Sequence, residues 1–133
     1  MPFFNSLEEE IINAELEGRD VIIMMDANSK LGKKYIKSDP KPQSSNGKIL
    51  SSIIDRHALV VVNGIEGKCK GVITREKNTI DGVEKSIIDF VIMSERVANE
   101  VELLEVDDTR KEVLTKRLKT KKGLEIKESD HNL

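Results

Sequence analysis

Two hydrophobic rhythms alternate along the chain. Leu7, Ile11, Ala14 and Leu16 recur at helical spacing and predict an amphipathic first helix. Ser6 is placed to cap it, Glu8, Glu9 and Glu10 to complement its dipole, and Gly18 to end it. "DVIIMMDAN" follows, and its unbroken apolar run predicts a strand buried on both faces. "SSNGKILSSIIDRHALVVVNG" repeats the order: a turn at Asn46-Gly47, a helix carrying Ile49, Leu50, Ile53 and Ile54, then a second buried strand in "ALVVVNG". "KGVITREKN" suggests a third, shorter strand. "TIDGVEKSIIDFVIMS" predicts a turn at Asp81-Gly82 and a strong strand through Ile87–Met93. "VANEVELLEVDD" alternates as an edge strand does, and "EVLTKRLKTKKGLEIKE" reads as a hairpin turning at Lys122-Gly123. "YIKSDPKPQSSNG", with two of the three prolines, is a loop too short to link domains. Helix–strand alternation followed by adjacent strands predicts an α/β fold with strands of mixed direction.

Composition narrows the class. A chain of 133 residues suits one domain, large enough to bury roughly two thirds of its unfolded surface. Charged residues make up 35 % but the net charge is only −2, which does not indicate a globally basic nucleic-acid binder. A phosphate-binding surface must then come from local clustering; the basic run ending "KRLKTKK", in the lysine-rich stretch from Arg110 to Lys122, could lie along a phosphate backbone, with a solvated hairpin as the usual reading. The single Cys69 excludes a disulfide framework and suits a reducing compartment. No apolar run reaches membrane-spanning length, and the acidic N-terminal stretch is no signal peptide. The expectation is a soluble intracellular chain, nuclear or cytoplasmic, with no membrane partner.

Candidate chemistry sits where the strands end. Asp26 and Asn28 emerge directly after "VIIMM", at the strand end where α/β folds gather ligand chemistry. A carboxylate and an amide two residues apart can share one direction, one accepting a proton while the other orients a phosphate or water. Asp-Ala-Asn is equally good turn chemistry, with both side chains bonded to local backbone. Asp89 lies inside "SIIDFVIMS": alternation could point it to solvent, but the aliphatic neighbours on its own face favour a carboxylate that finds a partner or shifts its pKa. Asp130 and His131 close the chain in "KESDHNL". Adjacent side chains point apart, so the two contribute separately, Asp130 to a divalent metal and His131 to a phosphate or water, or they belong to a solvated tail. His57 and Cys69 carry weaker signals: a structural or exposed histidine, and a thiol without the neighbours of a zinc site. A nucleotide-hydrolysing reading of "VIIMMD" needs a G-x-x-x-x-G-K-[ST] loop, which the sequence lacks.

The order of these pieces is more specific than any one of them. "MMDANSKLG", "NGKILSSIIDRHALVVVNG", "VITRE", "SIIDFVIMS" and "ESDHNL", in that succession, resemble the C-terminal half of the endonuclease/exonuclease/phosphatase superfamily, the DNase I-like fold, with its retrotransposon reverse-transcriptase endonuclease domains as the nearest look. The resemblance implies a four-layer α/β sandwich, two mixed sheets with helices outside, cleaving phosphoesters with Mg²⁺ or Mn²⁺. Asp26 then resembles the aspartate that activates water, and Asn28 the asparagine that holds the scissile phosphate. Asp89 resembles the aspartate that orients a histidine, His131 that histidine, and Asp130 the metal-linked aspartate. Thr74 matches a threonine position, and Arg75 stands where the retrotransposon enzymes usually continue with Trp.

The family's N-terminal half supplies a first-strand asparagine and a metal-binding glutamate, which have no counterpart here. The expectation is a single partial domain over residues 1–133, endonuclease-like but with weak or absent phosphodiester hydrolysis, acting on nucleic acid, DNA before RNA. A bare inner sheet face implies self-association or a complementing N-terminal half. The alternative is a non-catalytic remnant or interaction module with the same half-fold.

Overall fold

The computed structural model describes residues 2–106 together with the strand backbones of 115–120 and 123–128. The chain is mixed α and β, with three α-helices and small, mostly antiparallel sheets among the described residues. The four-layer sandwich is not among what these residues define.

Helix α1 runs Pro2–Leu16 and β1 runs Ile22–Asp26. Helix α2 spans Ser45–Arg56, β2 spans Leu59–Val61, and a 3-10 turn covers Val62–Gly64. After β3 at Cys69–Lys70 comes a hairpin of β4, Arg75–Thr79, and β5, Gly82–Ser86. Strand β6 spans Asp89–Ser94, α3 Glu95–Ala98 and β7 Leu104–Glu105. Strands β8, Thr115–Thr120, and β9, Gly123–Glu128, pair as the anticipated hairpin.

The central sheet has the order β1-β6-β2, with β6 antiparallel to both neighbours. Its two faces fare differently. Phe90 and Ile92 of β6 join Val61, Ile11, Leu50, Ile53 and Ile54 in the main core beneath α1 and α2. Val91 and Met93 point the other way and pack with Val62 and Ala98, with Val97, Val101 and Leu104 against them. That second cover stops short of β1, where Ile22 stays 58 % and Met24 76 % exposed.

The structure departs from several of these expectations. "VIIMM" is not buried on both faces: β1 is an edge strand whose residues alternate exposed and half-buried. An apolar run cannot tell a central strand from an edge strand whose outer face awaits cover. Ser6 does not cap α1; the helix begins at Pro2, where proline is at home in a first turn, so Glu8, Glu9 and Glu10 lie in its body. Asn46-Gly47 is no turn but the first turn of α2, capped by the Ser44 hydroxyl, which accepts from the Gly47 N–H at 3.1 Å. Glycine is needed there because an added Cβ would stand 1.9 Å from the Lys30 carbonyl oxygen. The second buried strand keeps only Leu59–Val61 before its 3-10 turn, and "KGVITREKN" forms its strand late, at Arg75–Thr79. The hairpin pairs Thr79 with Gly82, so Ile80 and Asp81 make its tip, and Gly82 takes a left-handed φ of 125°. The long strand predicted through Ile87–Met93 is broken at Ile87-Ile88, between β5 and β6. "VANEVELLEVDD" begins as α3 and yields only the two-residue β7, parallel to β3.

The loop between β1 and α2 is ordered by polar bonds. Asp39, fully buried, accepts from the Gly32 N–H at 3.2 Å and the Lys41 N–H at 2.9 Å. Burial pushes its carboxyl above the usual carboxylate range, with both N–H groups pulling back. Tyr35 bonds Ser51 Oγ at 2.6 Å and donates to Asp55 Oδ1 at 2.7 Å, while Lys34 Nζ lies 2.6 Å from Asp55 Oδ2. The Lys34 ammonium holds the Asp55 carboxyl low, and burial raises the Tyr35 phenol.

Candidate functional site

Asp26 and Asp89 face each other across the β1–β6 ladder. Its hydrogen-bond phase follows from its ends: the Ser94 N–H donates to the Val21 carbonyl at 2.9 Å, and the Ala27 N–H to the Ile88 carbonyl at 2.8 Å. Antiparallel ladders alternate, so Asp26 and Asp89 form a non-hydrogen-bonded pair, the class with side chains closest and Cα atoms about 4.5 Å apart. Both carboxylates rise from the sheet face that carries Met24, Val91, Ile22 and Met93. Asp26 is solvent-exposed and Asp89 is 5 % exposed. A buried and an exposed carboxylate thus share one end of the sheet.

The backbone of Asp89 is gripped from the side opposite β1. The hydroxyl of Thr74, itself 0 % exposed, accepts from the Ile88 N–H at 3.0 Å and the Asp89 N–H at 3.2 Å. Asn63 extends the β2 edge with its side chain. Its Nδ2 donates to the Asp89 carbonyl at 3.2 Å and its Oδ1 accepts from the Val91 N–H at 2.9 Å. The main chain of β2 has already turned away at Val62, and the Asn63 carboxamide fills the place of a peptide group in the ladder. These bonds start β6 at Asp89 and fix where its carboxyl projects.

Asn28 follows in a tight turn. Its N–H donates to Asp26 Oδ1 at 3.0 Å, and its own φ is 43°, in the left-handed region that Asn tolerates. The local-turn reading of Asp-Ala-Asn is therefore correct for Asp26 Oδ1. That bond also tethers Asp26 beside Asn28.

Of the five residues singled out from sequence, the fold brings Asp26, Asn28 and Asp89 to one end of the sheet; His131 and Asp130 lie outside the described residues. Sequence reasoning missed Asn63 altogether, and the signal was there: an amide closing the run "LVVV" immediately before Gly64. Thr74 was noted by position, not for its grip on Asp89. His57 is structural, its Nδ1 3.0 Å from Glu15 Oε1 and its Nε2 3.4 Å from Glu8 Oε1, tying α1 to the end of α2.

Oxygen donors of this kind suit a hard divalent cation. Asp26 and Asp89 are two such donors, and the described residues contain no group of three or more His, Cys, Asp or Glu able to hold a metal ion. No described helix is long and apolar enough to cross a membrane. Set against known proteins, the chain matches no family model, no curated protein and no solved structure.

Proposed function

We propose that this chain carries part of a metal-dependent phosphodiesterase site of the endonuclease type, acting on nucleic acid. The observation that carries the reading is the Asp26–Asp89 pair, close-facing at the carboxyl end of β1 and locked from behind by Thr74 and Asn63. Two acids placed directly opposite one another repel, and a bound divalent cation would offset that repulsion. In this reading Asp26 accepts the proton of the attacking water and Asn28 donates its amide hydrogens to a phosphate oxygen. Asp89 orients His131 toward the phosphate, and Asp130 contributes to the cation. Mg²⁺ or Mn²⁺, when bound, supplies the positive charge that phosphodiester cleavage demands. With so few carboxylates to ligate it the ion is held loosely, so turnover is slow.

The test is plasmid nicking by the purified chain with Mg²⁺ or Mn²⁺, against EDTA and against Asp26→Asn and His131→Ala. The expected result is slow nicking that needs the cation and falls about a hundredfold in each variant, the typical share of one acid–base group. Absence of cation-dependent nicking, or nicking equal in the variants, overturns the catalytic reading. The interaction-module reading has its own support in the exposed Ile22 and Met24 beside the pair.

A further inference from the structure

The loop between β1 and α2, residues 27–44, concentrates positive charge. Five lysines and one aspartate give it +4 in a chain whose net charge is −2, so the rest of the chain sums to −6. Its one acid and its large apolar residues point inward. Leu31 and Ile36 enter the main core, and Asp39 is fully buried on two backbone N–H groups. The lysines are left outside, Lys33, Lys34 and Lys37 exposed and Lys30 and Lys41 half-buried. The loop is also tied down at its base. The Lys30 N–H donates to Ser44 Oγ at 2.9 Å, the Ser44 N–H to the Lys30 carbonyl at 3.0 Å, and Gln43 Nε2 to the Leu31 carbonyl at 3.1 Å. The five cations therefore ride on a backbone of fixed shape.

Two of these charges are not neutralised within the fold. Lys34 lies 2.6 Å from Asp55, while Lys37 and Lys41 make only loose contacts, at 3.7 Å, with Glu66 and Glu84. The ammonium groups of Lys30 and Lys33 form no hydrogen bond or ion pair among the described residues. Both stand near enough to act on the Asp39 carboxyl, so the two share one part of the loop. Lys30 follows Asp26 by four residues, which bounds their separation at about 14 Å, the rise of roughly four nucleotides along one strand of a duplex. We infer that the β1–α2 loop is a track for the nucleic-acid backbone, with Lys30 and Lys33 each neutralising a phosphate beside the one held at Asn28. The inference rests on the nuclease reading above and supplies what that reading lacks, a surface on which a chain of net negative charge can hold a polyanion. Contacts from lysine to phosphate position the strand and carry no sequence information, so binding here is indifferent to sequence and falls with salt. No large apolar side chain of the loop is exposed, so it offers an anionic lipid surface nothing to insert, which favours nucleic acid as the occupant.

Fluorescence anisotropy of labelled duplex DNA titrated with the full chain, in EDTA over roughly 50–200 mM salt, tests this apart from cleavage. Each lost phosphate contact takes about 0.9 from the slope of log affinity against log salt. Lys30→Gln with Lys33→Gln is therefore expected to flatten the slope by about 1.8, equally on duplexes of different sequence and with unchanged circular dichroism. Lys33→Gln alone, at an exposed side chain, flattens it by about 0.9 and decides if the double variant misfolds. Lys116→Gln with Lys119→Gln removes the same charge from the other lysine-rich stretch and leaves the slope as it is. No binding at the lowest salt overturns the inference. So does a native slope in the Lys30 and Lys33 variants, an equal loss in both double variants, or tighter binding to vesicles of anionic lipid than to DNA. Plasmid nicking with Mg²⁺ keeps the two readings apart. Lys30 and Lys33 variants that bind as the native chain does remove the track whatever they cleave, and native binding without nicking removes the catalytic reading and leaves the track.

Discussion

Thr74→Val isolates one oxygen atom. The substitution keeps the shape of a side chain that is 0 % exposed and deletes the acceptor of the Ile88 and Asp89 N–H groups. No water can reach the site, so both N–H groups lose their partner in the folded state and regain one only on unfolding. Each such buried donor costs about 1–3 kcal/mol. The extra apolar atom returns a fraction of that, and a net loss of about 2–4 kcal/mol follows. Against a typical domain stability of about 5–15 kcal/mol this is a large share. Thr74→Ser gives the comparison: it keeps the oxygen, deletes one methyl group and costs about 1 kcal/mol. Urea unfolding followed by circular dichroism reads both, since the chain has no Trp for fluorescence. The order native, Ser, Val is expected, with amide exchange at Ile88 and Asp89 faster in the valine variant. A valine variant as stable as the serine one, although nearer the native volume, refutes the claim that the hydroxyl anchors β6.

Three further outcomes can be measured independently. Gly47→Ala improves helix propensity by about 1 kcal/mol in an open helix, yet here it destabilises by about 1–3 kcal/mol because the new Cβ meets the Lys30 carbonyl; a stabilised variant in thermal unfolding would contradict the contact. Asp39 has its folded carboxyl pKa raised by burial, so the native state binds more protons than the unfolded chain just above the ordinary carboxylate pKa of about 4; its contribution to stability is therefore lost as pH rises through that window. Asp39→Asn removes this contribution, and since the amide keeps one acceptor for two N–H groups the variant also carries a pH-independent penalty; urea midpoints from about pH 3.5 to 7 should show a shallower decline in the variant, and parallel curves would remove burial as the cause. Asp26→Asn removes one of the two facing carboxylates while keeping an acceptor for the Asn28 N–H, and is expected to leave stability at pH 7 unchanged or raise it by about 0.2–1 kcal/mol; a clear loss in the same assay would mean that what the Asp26 carboxylate binds outweighs its repulsion from Asp89.

What could be read from the sequence was whatever local pattern decides. The helix over Leu7–Leu16, the strand at "VIIMMD" and the hairpin at Gly123 all appear, because apolar period and turn chemistry act within a few residues. Boundaries fell where distant contacts rule. Asn46-Gly47 has the chemistry of a turn, yet the Ser44 cap and the close approach of Lys30 draw it into α2. The exposure of β1 could not be seen in its own residues, since it depends on α3 and β7 covering Val91 and Met93 and stopping before Met24. Asp89 was legible as a carboxylate in an apolar strand, but the identity of its cross-strand neighbour was not. Register is a property of two strands, and nothing in "SIIDFVIMS" alone names Asp26.

The position of Asp89 shows how the fold tolerates an acid at the edge of its core. Strand β6 is central, and a central strand needs a ladder on both sides. On one side β1 supplies it as far as Ala27. On the other, β2 ends at Val61, three positions before the start of β6 would be covered, and the chain turns into its 3-10 segment. The missing peptide groups are replaced by two side chains of the right hydrogen-bonding sense, the carboxamide of Asn63 and the hydroxyl of Thr74. Side chains can end a ladder at a chosen residue, whereas a longer β2 would continue it and bury the strand end under main chain. With its backbone satisfied in this way, Asp89 holds its carboxyl beside Asp26 while buried as deeply as the apolar residues that follow it: Phe90 and Ile92 are fully buried, Asp89 and Val91 nearly so. The same device explains why neither Asn63 nor Thr74 reads as catalytic in the sequence: each acts on the backbone of β6, and only through it on the acid that β6 presents.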